Sequence, residues 1–390
     1  MDALYIKISR ARIIDPISQT DDIVDVGIQD GKLAKIGEVT DTMADKVVQL
    51  NKKILSPTLI DLHTHVYYLS TSMGVDVDAL SARSGVGVFV DAGSAGAGNF
   101  LGFKEYVIRR ANARVYSFLN IGFGGITYFG LSGGKQVGEI PDVSVADIAS
   151  AEKCIEKNRD VIVGVKVRLS KNANGDLGAF PLRAAKKVAR KFGLPVMLHF
   201  GKPPPTLFEM IPLLERGDIL THCFNHSSNS VVSEDTEGIL NIVAKAKKRG
   251  VVFDVGHGMG SFSFSVAKRA VESGFFPDTI STDIHKFCIP SPVYDLPTTM
   301  TKFLNLGMPL SEILKATTYN PALAIGKSTQ YGSIRVGNNA ELVSLEVVKH
   351  ETVLFDSYGK SIRATEIIEP SVLFRNGNPV KIDYIPFGKC

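Results

Sequence analysis

Apolar and polar positions change rhythm twice along this chain. From Leu4 to about Ile54 they fall into short strand-like runs separated by turn signals, LYIKISRARIID and then DIVDVGIQDGKLAKIGEV, where Asp30-Gly31 predicts a hairpin turn. After SPTLID the pattern becomes an apolar strand followed by an amphipathic helix, many times over. The strand candidates are TLIDLHTH, GVGVFVDAG, RVYSFLNIG, VIVGVKVRLS, LPVMLHFG, DILTHCFN, VVFDVGHG and TISTDIHK, eight in all. Between them SVADIASAEKCIEKN, PLRAAKKVARKFG, TEGILNIVAKAKKRG and SFSVAKRAVESGF carry apolar residues at helical spacing, with Gly near several ends. Beyond PLSEILKATTYNPALAIG the texture returns to strands, GSIRVGNNAELVSLEV and SIRATEIIEPSVLFRNGNPV.

Eight strands alternating with helices predict an α/β fold, a (β/α)8 TIM barrel. The strand-only ends are expected to pair into one small β-sandwich. The expected division is therefore 1–56 for the first part of the sandwich, 57–330 for the barrel and 331–390 for the rest of the sandwich.

Composition changes this picture little. The 390 residues are 44% hydrophobic and 22% charged, enough to bury a large core. The formal net charge of +4 is spread without long basic blocks, so the chain has no nucleic-acid or membrane footprint; AKAKKRG reads as the solvated end of a helix. No apolar segment reads as a signal peptide or membrane span, and Cys154, Cys223, Cys288 and Cys390 lie far apart, outside zinc spacings. Reduced thiols and a cytoplasmic location are the expectation. Self-association is left open.

The candidate chemistry sits at the strand ends. His63 and His65 flank Thr64 at the end of an apolar run, so on a strand their imidazoles share a face and make half a metal site; alone, such a pair is more often two surface or core histidines than a ligand pair. In a barrel of this type the C-terminal strand ends carry the chemistry. There the fourth strand carries Lys166, the fifth ends in His199, the sixth in His222 and the eighth in Asp283, with His226, His257 and His285 just beyond strand ends. Seven of the eight histidines therefore fall at one rim, leaving only His350 elsewhere. A buried Lys166 beside cations should lose its proton and could then take up carbon dioxide as a carbamate, an anionic pair of oxygens suited to bridging two ions; an ordinary salt-bridge lysine is the alternative.

With DLHTH, GVKVR, LHF, THCFN and STDIH in this order, the chain resembles the amidohydrolase superfamily over nearly its whole length. The resemblance implies two divalent ions, usually Zn2+: His63, His65 and Asp283 on one, His199 and His222 on the other, and N-carboxylated Lys166 as the bridge. It further implies a metal-bridging hydroxide as nucleophile, with Asp283 carrying its proton. Glu341 in GNNAEL departs from the Asp that the family more often has there, outside the catalytic positions. The segments GVKVRLS, DVGHGMGSF and STDIH resemble a dihydroorotase-like or deacetylase subgroup. Mononuclear deaminases of the superfamily carry a catalytic Glu just after the fifth-strand His, and HFGK offers none.

Three activities follow as expectations. The first is deacetylase-type cleavage of an acyl amide or ester in a small carboxylate-bearing substrate; the second is hydrolysis of a cyclic amide, as by a dihydroorotase or hydantoinase; the third is a non-catalytic scaffold. Arg168 shares the inward face of Lys166 and suits a substrate carboxylate, or else pairs with an acid at the rim. His257 and His285 are candidate substrate contacts or supports of the ligands, and Tyr67, Tyr68 and Tyr128 candidate pocket walls.

Overall fold

The computed structural model describes residues 5–126, 131–132, 135–136, 139–232 and 238–387. Tyr128 and Cys390 lie outside them. Seven parallel strands form one curled sheet: Leu59–Thr64, Val86–Gly96, Arg114–Asn120, Ile162–Leu169, Val196–Phe200, Ile219–Thr221 and Val252–Asp254, each hydrogen-bonded to the next. The eighth expected strand is not a regular one. Residues 279–284 instead close the barrel through two isolated parallel bridges, Asp254 to Thr279 and Thr64 to Ile284. Backbone bonds from Val255 to Thr279, from His257 to Ser281, from Asp283 to His63 and from His65 to Ile284 complete the seam. The ladder is broken here because Asp283 takes a left-handed φ of 49°, incompatible with extended pairing.

The four quoted helical segments form the helices Ile148–Lys157, Phe180–Phe192, Asn241–Arg249 and Phe264–Glu272. Asp147 caps the first by accepting from the Ser150 amide at 3.0 Å, and left-handed Gly193 and Gly250 end the second and third. Their apolar faces cover the strands from outside. Inside the barrel, Ile60, Leu62, Val88, Val90, Phe118 and Met197 fill a separate layer, plugged from below by Ile325 and Tyr331.

That layer shows how the first strand delivers its histidines. With Ile60 and Leu62 facing inward, unbroken alternation would turn His63 outward. A register shift between Asp61 and Thr64 resets the phase and brings His63 into the interior. Asp61 is fixed there by accepting from the Thr282 amide and hydroxyl at 3.0 and 2.5 Å.

Both chain ends join one further sheet. Ile54–Pro57 pairs with Leu342–Phe355 on one side and with Tyr5–Asp15 on the other, and the hairpin of Leu342–Phe355 with Ser361–Arg375 extends it. The expected sandwich is thus one connected sheet in its hydrogen bonding, over a core that includes Ile8, Val26, Leu55, Leu342 and Phe374. Thr20–Gln29 and Lys32–Gly37 form the expected hairpin; Asp30 and Gly31 take φ values of 51° and 74°, the two positive values of a type I′ turn.

Candidate functional site

The strand ends open into a cavity of about 520 Å³ lined by His65, Lys166, His199 and Asp283, with Arg168 and His285 nearby. His63 and His222 stand just behind, almost fully buried. Asp283 turns Oδ1 toward both first-strand imidazoles, 3.3 Å from His63 Nε2 and 3.1 Å from His65 Nε2. Lys166 Nζ lies 3.1 Å from His63 Nε2, and His222 Nε2 lies 2.8 Å from His199 Nδ1. Donor atoms of His63, His222 and Asp283 all fall within 4.8 Å of one another, close enough to share an ion.

The far nitrogens of the histidines decide which tautomers meet in the middle. His222 Nδ1 faces the Gly256 carbonyl at 2.6 Å and must carry the proton, which leaves Nε2 as a lone pair. His63 Nδ1 meets Thr221 Oγ1 at 2.8 Å, and that hydroxyl donates at 2.6 Å to the acceptor-only Asp254 carboxylate. Thr221 must therefore accept from His63 Nδ1–H, and His63 Nε2 is also a lone pair. His65 Nδ1 is held by Ser94 Oγ at 2.9 Å. Imidazoles oriented in this way from behind are the arrangement that metal-ligating histidines require.

Electrostatics points the same way. Burial pushes His63 and His199 well below the usual imidazole range and His222 down to about 3, so all three are neutral donors at pH 7. Burial also brings Lys166 down to about 8, against the pull of Asp283 and Glu139 toward the charged form. Burial works to raise Asp283, but the hydrogen bond from the facing His65 imidazole is among the interactions that hold its carboxyl well below the usual carboxylate range. Two residues of the site, His222 at φ 70° and Asp283 at φ 49°, are non-glycine residues in the left-handed region, each costing on the order of 1–3 kcal/mol. Gly258 makes room for the carboxylate, since a Cβ on it would lie 2.4 Å from Asp283 Oδ2.

Of the remaining sequence candidates, Arg168 lines the cavity and pairs with Glu139 at 3.3 Å, while its Nε has no hydrogen-bond partner among the described residues. His285 also lines the cavity, brought down to about 4 by burial. His257 does not line it: Nδ1 faces the Gly258 carbonyl at 2.9 Å, and Nε2 accepts from the buried Lys302 ammonium at 2.7 Å. His226 is exposed at the outer edge of the cavity. Tyr67 is buried in the core, and Tyr68 lies on the surface outside this cavity.

Sequence reasoning missed Asp254, Glu139 and Tyr358. Asp254 left a signal, an acid inside the apolar run VVFDV; it accepts from Thr221, Thr279 and Ser281 at 2.6 to 2.8 Å and so ties together the ends of the last three strands. Glu139 and Tyr358 left none. They reach the cavity from a loop after the third strand and from the turn of the C-terminal hairpin.

Residues 54–380 match the amidohydrolase family. A deacetylase of Brucella anthropi is 37% identical over 344 residues, covering 88% of this chain and 84% of that protein. Among solved structures, a dihydroorotase superposes with a TM-score of 0.89 at 33% identity, covering 98% of this chain and all of the other. An adenine deaminase gives a TM-score of 0.88 at 31% identity, covering 96% and 99%. Barrel, converging donors and matched length agree, and the chain belongs to the amidohydrolase family, a family of hydrolases.

Proposed function

We propose that the protein is a binuclear zinc hydrolase that removes an acyl group, of the deacetylase type, from a small carboxylate-bearing amide or ester. The observation that carries the reading is the donor set: four imidazoles, one carboxylate and a lysine inclined to lose its proton, converging at the barrel mouth with the far nitrogens of His63, His65 and His222 held from behind. His63, His65 and Asp283 would hold one ion and His199 and His222 the other. Lys166, neutral and then carboxylated by carbon dioxide, would serve both. Ions held there supply an acidified water and polarise the carbonyl under attack.

The protein's own part is positioning and proton transfer. Besides its share in holding an ion, Asp283 would take a proton from the attacking water and return it to the leaving nitrogen or oxygen. Among the described residues Arg168 has a donor to spare beyond its bond to Glu139, which suits a substrate carboxylate at the cavity wall. The deacetylase name borne by a 37% identical relative supports an open-chain acyl substrate. The dihydroorotase neighbour, 33% identical over the full chain, supports the second reading, a cyclic amide. The deaminase neighbour is not followed, because HFGK has no Glu after His199. A full ligand set also argues against a non-catalytic scaffold.

The test is a screen of zinc-loaded protein against N-acetyl amino acids, O-acetyl hydroxy acids, dihydroorotate and hydantoins. Acetate release from the first two classes is the expected result. Turnover of the cyclic amides alone would replace it with the second reading, and no turnover of any would overturn both.

A further inference from the structure

The turn at residues 356–360, between the two long strands of the C-terminal hairpin, does not stay with its own sheet. It lies across the barrel mouth, bonded to two different active-site loops. Ser357 donates its amide to the Phe262 carbonyl at 2.9 Å and its hydroxyl to Gly258 O at 2.8 Å. Asp356 accepts from the amide of Phe264, at the start of the next helix, at 3.0 Å. Tyr358 donates its hydroxyl to Gly260 O at 2.9 Å and accepts from the His226 amide at 3.0 Å. The loop after the sixth strand and the loop after the seventh are thus joined through one phenol. From below, Lys302 donates to the Phe355 carbonyl at 2.8 Å and to His257 Nε2 at 2.7 Å, so the base of the turn shares a buried cation with the seventh-strand loop.

The same turn shapes the cavity. Tyr358 is one of its lining residues, edge-on to the His226 ring with centroids 5.6 Å apart. Because both bonds of the hydroxyl go to protein backbone, the ring meets the cavity as an apolar surface, beside Met259. Arg168 and Lys166 line the same cavity.

We propose that the tip of the C-terminal hairpin clamps the loops after the sixth and seventh barrel strands and that Tyr358 is a specificity-determining residue, limiting the size of substrate group admitted to the cavity that Arg168 also lines. The second sheet is then part of substrate selection as well as of stability. The clamp stands on the hydrogen bonds alone; the size limit also rests on the acyl-hydrolase reading above.

Two measurements on the zinc-loaded full chain separate these. In the first, amide hydrogen exchange is followed in wild type, Ser357→Ala and Tyr358→Phe. Peptides spanning 222–232 and 257–264 should exchange at least about tenfold faster in both variants while the barrel strands keep their protection. Unchanged protection of both loops overturns the clamp. In the second, kcat/KM of wild type and Tyr358→Ala is compared on N-acetylalanine against N-acetylphenylalanine, and on the matching O-acetyl hydroxy acids. The ratio should move toward the larger side chain by about tenfold or more, mainly through KM, the usual scale for changing the fit of an apolar pocket. A ratio unchanged within twofold in folded, metal-loaded Tyr358→Ala overturns the size limit. If wild type cleaves none of these compounds, the acyl-hydrolase reading falls with the size limit, and the exchange measurement still decides the clamp.

Discussion

Replacing Thr221 by valine tests the claim that hydrogen bonds behind the histidines prepare them as ligands. The substitution keeps the shape of the side chain and removes one hydroxyl that serves two neighbours at 2.8 and 2.6 Å, His63 Nδ1 and Asp254 Oδ2. Asp254 retains Thr279 and Ser281, so its loss is one bond to a carboxylate, about 1.5–3 kcal/mol. His63 Nδ1–H loses its partner in a buried place, a further 1–3 kcal/mol or so. The variant should therefore unfold with a stability lower by about 2.5–6 kcal/mol. More tellingly, His63 is freed to take the tautomer with the proton on Nε2, where the lone pair is needed. Zinc affinity at the His63 site should fall about 10- to 100-fold, the range for loss of a partner behind a ligand. The assay is competition with a chromophoric chelator, comparing wild type, Thr221→Val and Thr221→Ser, with the serine variant close to wild type because it keeps the hydroxyl. Zinc affinity of folded Thr221→Val within twofold of wild type would refute the reasoning.

Lys166→Ala should lose the bridging group and most turnover, and acetate added with zinc should restore a part of it; full activity without additive would rule out a bridging lysine. Asp283→Asn should lose about 10² or more in kcat while metal content falls far less; near wild-type turnover with both ions retained would assign the proton to another group, with His285, a titratable side chain in the same cavity, the next candidate. Gly258→Ala places a methyl 2.4 Å from Asp283 Oδ2 at a φ of 52°, so zinc content should drop in a protein that still gives a folded circular dichroism spectrum; unchanged zinc content would show that the loop yields freely. Truncation before Leu342 strips Ile54–Pro57 of a strand partner and uncovers Leu55, so limited proteolysis should cut within the first fifty residues; wild-type resistance would contradict a shared sheet.

How much of this was legible beforehand follows from what each feature depends on. Strands and helices of the barrel were readable because apolar runs and helical spacing are local, and the histidines drew notice by clustering at strand ends. Alternation puts His63 and His65 on one face, but the inward turn of His63 goes with a register shift between Asp61 and Thr64, where Asp61 is held by Thr282 from far along the chain. His257 follows a strand end like the others, but it bonds a buried lysine from the helix Leu296–Asn305 and does not line the cavity, a long-range contact that strand-end position cannot convey. The eighth strand could be placed but not its irregularity, because a left-handed aspartate is chosen by the site it serves and not by local propensity. Tyr358 was beyond reach, since nothing near it in sequence tells that its hairpin crosses to the barrel mouth.

The account stands or falls on the number of metal ions, and elemental analysis of protein produced with zinc and bicarbonate counts them directly. Two ions per chain are predicted, falling to one or fewer in Lys166→Ala. About one ion in wild type, with no gain on reconstitution, would contradict the binuclear centre.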